Sequence, residues 1–527
     1  MKKNRFKAIL LVLPLLSVLT GCFFRYSNTT DNNEQPKTQT VYIECTDSIK
    51  INLKLTTQKT LYPTLSNNDS SARFSFSSAN TQIASIDSNG VITAKKVGET
   101  TLNVFLQNNS SINKSVTLKV IDEEVSGYDY TLMYYMCGST LEYNPEVKKQ
   151  SEQGFLSDDI REILGVELPD EVKVIIETGG AEKWFLEDSF ISNAQSIPSN
   201  ALTRWEVVDH KLKKIDTLPT NNMASSSSFE SFLNWGLDDY PAEQVGVIIS
   251  GHGGGIAGCA YDDNYTYTIA GNKFEHTLRT FDIANAAEAA LKNSSRDKFT
   301  WIGYDCCLMQ SADIATINSK YFDYMVASQD LENAAGWNHS KYLNYIKNNT
   351  SITPTDLLPR ICNDFVKQYH STTEKPEEYC YQTLSVLDLS KTEPLVTAFN
   401  KFVNTSLGVG LTGFNKAKAA FNASYNELGD GIYGLCDFTS LMKAFKTKYS
   451  CDVSEVESAI SNLVLTDSIK YCSNYPIDLC GVNAFFPLSL SEKYPLQVAK
   501  DDYSIYSTKF TPWQTLCSNY GKFWDSI

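Results

Sequence analysis

Two short apolar runs that end at reactive side chains constrain the fold of this chain more than any other feature. One runs through Val245–Ser250 and leads to His252, which has a glycine on each side. The other, Phe299–Tyr304, ends at Asp305 and a pair of cysteines at 306 and 307. Each run has the length of a buried strand, and reactive residues at strand ends are what an open α/β sheet presents to a substrate. The two runs therefore predict neighbouring strands whose ends share one site.

The combination of a cysteine and a histidine points to nucleophilic chemistry. On neighbouring strand ends, a thiol and an imidazole can form a thiolate–imidazole nucleophile. The glycines around His252 let a substrate backbone approach closely and leave N–H groups to point at it. The alternative is a turn histidine with no catalytic role, but the other four histidines lack this glycine-rich setting. A helix is also predicted over Ser311–Ser319, which would place Cys307 near a helix N-terminus, where a thiolate is favoured.

The first 21 residues resemble a bacterial lipoprotein signal. A basic segment precedes an apolar run, Ala8–Val18, that is too short to be a comfortable membrane span. The run leads to a Gly-Cys pair, so Cys22 is expected to carry a lipid and become the N-terminus. The alternative is an ordinary cleaved signal in which Cys22 is incidental. Residues 22–40, rich in Asn, Thr, Asp and Gln, are expected to form a flexible tether.

A separate small β-sandwich is predicted over residues 41–122. Apolar residues occupy every second position of Ile49–Leu55, and turn-forming residues separate this run from similar ones. The segment Ser78–Ala94 resembles the group 2 bacterial immunoglobulin-like domain. That resemblance implies a spacer, with carbohydrate binding as the alternative role.

Residues 125–527 are predicted to form one α/β domain, because strand patterns alternate there with helical ones. The predicted strands besides the two above are Tyr130–Met136, Val172–Thr178, Tyr381–Asp388 and Gly481–Pro487. The predicted helices are Glu152–Leu164, Phe229–Leu237 and Phe281–Leu291.

Several motifs of this second unit together resemble the clostripain family of cysteine peptidases, which belongs to the caspase-like clan. The motifs are His252-Gly-Gly-Gly255, Asp305-Cys-Cys-Leu-Met309, Ala327-Ser-Gln329 and Gly336-Trp337. Cys307 follows His252 by 55 residues, close to the spacing of about 50 in caspases. The resemblance implies a three-layer α/β/α caspase-like domain.

The same resemblance implies roles for individual residues. The family's nucleophile falls on Cys307 and its general acid/base on His252, with the N–H groups of Gly253 and Cys307 holding the oxyanion. Asp305 matches the acidic residue that binds the basic side chain at P1, the residue before the scissile bond. The chain departs from the family pattern at Cys306, where the motif has alanine. Because neighbouring side chains alternate at a strand end, Cys306 is expected to point away from Cys307.

Further expectations concern processing and metals. Family members often cleave themselves between the histidine and the cysteine, and Lys273 lies there in a stretch that contains glycine and asparagine. No cofactor is expected to be required. Some members need calcium, to which Asp262 and Asp263 could contribute, although adjacent carboxylates are more often a solvated loop and calcium takes about six oxygens.

The formal net charge of −15 argues against nucleic-acid binding.

The N-terminal signal predicts a bacterial lipoprotein at the cell surface, held to the membrane by its N-terminal lipid. The resemblance to the clostripain family implies that it would cleave protein or peptide substrates after Arg, and less readily after Lys. The alternative is a non-enzymatic surface adhesin or an inactive peptidase homologue.

Overall fold

The computed structural model describes residues 41–54, 56–65, 72–122, 127–147, 153–193, 195–218, 222–269, 272–370, 381–408, 410–431, 434–465, 468–471, 475–486 and 509–520. The predicted signal peptide, Cys22 and the tether lie outside these residues. In the described ranges, no helix has both the length and the apolar character needed to cross a bilayer.

The N-terminal unit is a small β-structure with its own apolar core. The order β2-β9-β8-β5 forms one sheet, β3-β7-β6 a second, and β1 pairs with β4. Alternate residues of β8, among them Leu102 and Val104, are fully buried between the sheets. The strands are β1 (Ile43–Glu44), β2 (Ser48–Asn52), β3 (Gln58–Thr60), β4 (Thr64–Leu65), β5 (Phe74–Ser78), β6 (Ala84–Ile86), β7 (Val91–Ala94), β8 (Gly98–Leu106) and β9 (Asn109–Ile121).

The second unit alternates strands and helices. Its strands are β10 (Tyr128–Cys137), β11 (Val172–Gly179), β12 (Leu202–Val208), β13 (Lys211–Leu218), β14 (Ala242–Ser250), β15 (Cys259–Ile269), β16 (Asn272–Leu278), β17 (Phe299–Asp305), β18 (Phe322–Ala327), β19 (Thr383–Asp388), β20 (Leu435–Asp437), β21 (Lys470–Tyr471) and β22 (Asn483–Phe485). Its helices are α1 (Ser139–Glu142), α2 (Phe155–Leu164), α3 (Ser226–Asp239), α4 (Thr280–Lys292), α5 (Ala312–Asn318), α6 (His339–Asn348), α7 (Pro354–His370), α8 (Thr392–Phe402), α9 (Leu411–Phe421), α10 (Phe438–Tyr449), α11 (Ser454–Leu463) and α12 (Thr511–Tyr520).

A nine-stranded sheet in the order β13-β12-β11-β10-β14-β17-β18-β19-β21 crosses this unit. The five strands from β11 to β18 run parallel, and the strands on either side of them are antiparallel. The chain leaves β10 for β11 on one side and later returns to β14 on the other. The order therefore reverses between β10 and β14, and the carboxyl ends of strands at such a switch point form a crevice where ligands bind.

Helices cover both faces of this sheet. Along β10, Met133, Tyr135 and Cys137 belong to one apolar core, which includes α3, α4 and α5. Leu132 and Tyr134 belong to a second core on the opposite face, which includes α2, α6 and α7. A strand buried on both faces has no polar alternation, which explains its continuous apolar sequence. The predicted three-layer α/β/α architecture is confirmed.

The N-terminal unit packs directly against the second unit through α3 and α4. Lys59 is buried, with its Nζ 2.5 Å from Asp238 Oδ2 on α3, and Lys50 pairs with Asp239. The backbone N–H of Thr60 donates to Asn293 Oδ1, just after α4, at 2.8 Å. A buried ion pair and a paired backbone group hold this β-unit against the sheet domain.

Candidate active site

The carboxyl ends of three neighbouring parallel strands meet at one site. In the register of β14 with β17, Ser250 lies opposite Asp305, and in that of β14 with β10 it lies opposite Met136. The backbone N–H of Gly251 donates to the carbonyl of Asp305 at 3.3 Å. The loops that carry His252 and Cys307 therefore leave the sheet side by side, as the sequence predicted.

The imidazole of His252 contacts a residue that follows the end of β10. Its Nε2 lies 2.8 Å from the hydroxyl of Thr140, while its Nδ1 is buried and has no hydrogen-bond partner in the described part of the chain. Burial lowers the pKa of His252, against the opposing effect of Asp263 and Glu275. The ring is thus favoured in its neutral form. If Nε2–H donates to Thr140, the lone pair of the neutral ring lies on Nδ1, which can then accept a proton.

Cys306 and Cys307 have different surroundings. The thiol of Cys306 donates to the carbonyl of Ile249 in β14 at 3.3 Å, and burial raises its pKa well above the ordinary value. Both cysteines line a pocket at the sheet edge, but the sulfur of Cys307 accepts the backbone N–H of Glu332 at 3.2 Å. The two side chains contact different partners, which favours Cys307 as the reactive thiol. Helix α5 begins only at Ala312, so the predicted helix N-terminus is five residues away, beyond the short range of a helix-end effect.

Gly253 is in close contact with the backbone of Cys307. A Cβ atom added to this glycine would lie 2.3 Å from the Cys307 carbonyl oxygen and 3.0 Å from its nitrogen. No side chain fits there, and the absence of one lets the histidine loop pack against the cysteine loop. The two predicted oxyanion donors, the N–H groups of Gly253 and Cys307, belong to these adjoining segments.

The pocket beside Cys307 has carboxylates in its wall. Asp305, Asp159 and Glu332 line it, together with Leu141, Leu156 and the backbone near Gly336. The carboxyl group of Glu332 is buried close to Asp305 and to the side chain of Trp337. Burial, with Asp305 and Cys307 nearby, raises the pKa of Glu332 well above its ordinary value. This carboxyl group is therefore buried at the pocket wall without a counter-charge of its own.

Asp305 is positioned by the segment after β18. The backbone N–H of Trp337 points to its Oδ2 at 3.5 Å, and His339 Nε2 lies 3.3 Å from the same oxygen. A Cβ atom at Gly336, where φ is +58°, would lie 3.0 Å from both carboxylate oxygens. A glycine is needed here both for the backbone conformation and for room beside Asp305.

The other predicted residues lie elsewhere. Asp262 is buried, and its two carboxylate oxygens accept the N–H groups of Met223 and Asn264 at 2.8 and 3.0 Å. Among the described residues, Asp262 and Asp263 do not form a cluster with a third metal-ligating side chain, and their contribution to a calcium site stays a prediction. Lys273 lies in β16, opposite Thr268 of β15. Residues 270 and 271, which join the two strands, lie outside the described residues.

Four residues of the site were missed by the sequence analysis: Thr140, Asp159, Glu332 and His339. Thr140 and Glu332 follow the ends of β10 and β18, so applying the strand-end rule to every parallel strand would have found them. Asp159 lies within an amphipathic helix and gives no comparable signal. His339 lacks the glycine-rich setting of His252 and so gives no signal in the sequence, but the structure buries it completely.

Two family models match this chain. Residues 146–476 match the model of the clostripain family, and residues 46–118 match that of the group 2 bacterial immunoglobulin-like domain. No curated protein sequence matches the chain.

Three solved structures are similar to this chain at low sequence identity. A secreted C11 cysteine protease from Bacteroides thetaiotaomicron has a TM-score of 0.50 and 14% identity, covering 74% of this chain and 99% of its own. Its complex with an irreversible peptide inhibitor has a TM-score of 0.48 and 16% identity, covering 76% and 100%. An inactive zymogen of a C11 protease from Parabacteroides distasonis has a TM-score of 0.49 and 14% identity, covering 74% and 99%.

The family model alone spans more than half of the chain and includes both strand ends described above. The chain therefore belongs to the clostripain family, and carries a group 2 bacterial immunoglobulin-like domain on its N-terminal side.

Proposed function

We propose that this chain is a cysteine endopeptidase that cleaves after basic residues, with Cys307 as nucleophile and His252 as general acid/base. The observation that carries the proposal is the meeting of the two loops at adjacent strand ends, beside a pocket lined by carboxylates. The cysteine peptidases of the same family and the solved complex with a peptide inhibitor support a protein or peptide substrate.

The reaction would proceed in two steps. The Cys307 thiol transfers its proton to Nδ1 of His252 as its sulfur attacks the scissile carbonyl carbon. The carbon–nitrogen bond then breaks, His252 returns the proton to the leaving amine, and a thioester remains on Cys307. A water molecule, deprotonated by His252, hydrolyses the thioester and regenerates the thiol.

Hydrogen bonds would stabilise the negative charge that develops on the carbonyl oxygen. The N–H groups of Gly253 and Cys307 are the proposed donors, because the missing side chain of Gly253 lets the two segments pack against each other. Donors fixed before the reaction stabilise the oxyanion without reorganising, and one such donor contributes roughly 100- to 1,000-fold to kcat.

The P1 side chain would enter the pocket beside Cys307. Asp305 can meet a guanidinium with two hydrogen bonds, whereas a lysine ammonium is a point charge on a flexible stem. Glu332 adds a second carboxyl group whose raised pKa reflects burial. A cationic P1 group supplies the missing counter-charge, so binding would release a proton from Glu332. These features favour Arg over Lys, and both over neutral or acidic residues.

The test is turnover of short fluorogenic peptides that differ only at P1, with Arg, Lys, Leu or Asp. The expected order is Arg, then Lys, with little cleavage of the others, and no turnover by Cys307→Ala. An adhesin or an inactive homologue would turn over none of the peptides. Equal cleavage after Leu or Asp would contradict the basic pocket.

We also propose that the protein is a lipoprotein of the bacterial cell surface, anchored through Cys22. Support comes from the Gly-Cys pair that follows the apolar run. Cys22→Ser is expected to move the protein from the membrane fraction to the soluble fraction. A wild-type protein that is soluble with an unmodified N-terminus would contradict this part of the proposal.

A further inference from the structure

A histidine lies fully buried behind the pocket that the peptidase is proposed to use for P1. His339 is the first residue of α6 and is 0% exposed. Its Nε2 lies 3.3 Å from Asp305 Oδ2 on β17 and 3.5 Å from Asp159 Oδ1 on α2. One imidazole edge thus faces two carboxylates that come from different elements and both line the pocket.

The rest of the ring is also fixed. Nδ1 lies 2.7 Å from the hydroxyl of Tyr342, which in turn contacts the hydroxyl of Tyr134 on β10. The backbone N–H of His339 donates to Glu162 Oε2 at 2.8 Å. The ring therefore has little freedom to turn away from the carboxylates. The titratable groups around it are Asp159 and Glu162 on α2, Asp305 on β17, Tyr134 on β10, Tyr342 on α6, and Glu332 beyond Asp305.

Two buried carboxylates close to each other cannot both be ionised without a cation, and one of them otherwise retains a proton. Burial by itself lowers the pKa of His339, but the contacts with Asp159 and Asp305 raise it to about 10. Burial raises the pKa of Asp159, and the attraction of His339 limits it to about 7. Both the pKa shifts and the distances therefore indicate an imidazolium that lies between two acidic groups.

We propose that His339 is a positioning residue for substrate selection, whose imidazolium bridges Asp159 and Asp305 and presents both carboxylates to a basic P1 side chain. The inference rests on the proposed peptidase function and adds two residues to its specificity. It makes Asp159 a further anionic group for the substrate cation, beside Asp305 and Glu332. The ionisation of Asp159 would then depend on His339, which does not itself line the pocket.

The kinetic test compares peptides that have Arg or citrulline at P1. Citrulline has the shape of arginine without its charge, so the ratio of the two kcat/KM values isolates charge recognition and cancels the titration of His252 and Cys307. In the wild-type enzyme this ratio is expected to rise with pH around 7, as Asp159 ionises. In His339→Gln, which keeps an N–H donor but has no charge, the midpoint is expected to move up by at least one pH unit. The ratio at pH 7 should fall at least fivefold, mainly through KM.

Two further variants are measured in the same assay. His210→Gln makes the same substitution in the turn between β12 and β13, and is expected to leave the ratio and its midpoint unchanged. Asp159→Asn keeps the contact of His339 with Asp305, and is expected to lower the ratio and remove the titration near pH 7. A ratio that is unaltered in both His339→Gln and Asp159→Asn would overturn the proposal.

A second measurement does not depend on cleavage. In the full chain with Cys307→Ala, ¹⁵N-labelled histidine side chains are titrated by NMR, and the His339 signal is identified by its loss in His339→Gln. We expect a charged ring at pH 8, where an ordinary histidine is neutral. A neutral His339 at pH 8 would overturn the inference whatever the enzyme cleaves. A charged His339 in a protein that cleaves no peptide would instead refute the proposed function and, with it, the selection role.

Discussion

Thr140→Val tests how the catalytic histidine is oriented. The substitution replaces the hydroxyl that lies 2.8 Å from His252 Nε2 with a methyl group of similar shape. The ring nitrogen is then left without an acceptor in a buried setting, which costs about 1–3 kcal/mol. If that energy orients the ring in the transition state, kcat/KM falls about 5- to 150-fold, at 1.36 kcal/mol per tenfold.

Thr140→Val should also shift the pH profile of kcat/KM in a defined direction. The hydroxyl accepts more strongly from the imidazolium than from the neutral ring, so its removal disfavours the charged form. The pKa of His252, already lowered by burial, should fall further. The acidic limb of the kcat/KM profile should therefore move to lower pH in Thr140→Val.

The assay measures kcat/KM for an Arg peptide from pH 5 to 9, with the melting temperature recorded for each variant. Thr405→Val, at an exposed helical position, is the matched control and should behave like the wild type. A Thr140→Val enzyme with activity within twofold of the wild type and an unmoved acidic limb would refute the assigned role of Nε2.

Three further outcomes are expected. Cys307→Ala should abolish activity while Cys306→Ala retains most of it, measured as peptide turnover; the reverse result would shift the nucleophile by one residue. Gly253→Ala should lower kcat at least tenfold, because its Cβ would lie 2.3 Å from the Cys307 carbonyl oxygen; full activity would show that the two loops need not touch. Purified enzyme should split near Lys273 while Cys307→Ala stays intact, as judged by mass spectrometry; an active enzyme that remains one chain would contradict self-cleavage.

Much of the fold could be predicted because buried parallel strands are continuous apolar runs, which are easy to identify in a sequence. The predicted strand Tyr130–Met136 is observed as Tyr128–Cys137, and the predicted helix Phe281–Leu291 as Thr280–Lys292. The antiparallel strands β12 and β13, which form one edge of the sheet, were missed. Five consecutive residues of Lys211–Leu218 are exposed, so burial constrains few residues of that strand and its hydrophobic pattern is weak.

Only some residues of the candidate site could be predicted from the sequence. His252 and Cys307 stand out because glycines or a known motif surround them. Asp159 and His339 are 180 residues apart and meet only because α2 and α6 pack on the same face of the sheet. Their ionisation depends on burial and on each other, and neither property is encoded in local sequence.

The most direct measurement of the central claim is covalent labelling of the nucleophile. The wild-type enzyme is treated with an irreversible peptidyl inhibitor that ends in arginine, and the adduct is mapped by mass spectrometry of its peptides. We predict a single adduct on Cys307 that is lost in Cys307→Ala, forms more slowly in His252→Ala, and is weaker when arginine is replaced by leucine. An adduct on Cys306, or no adduct on a folded protein, would contradict it.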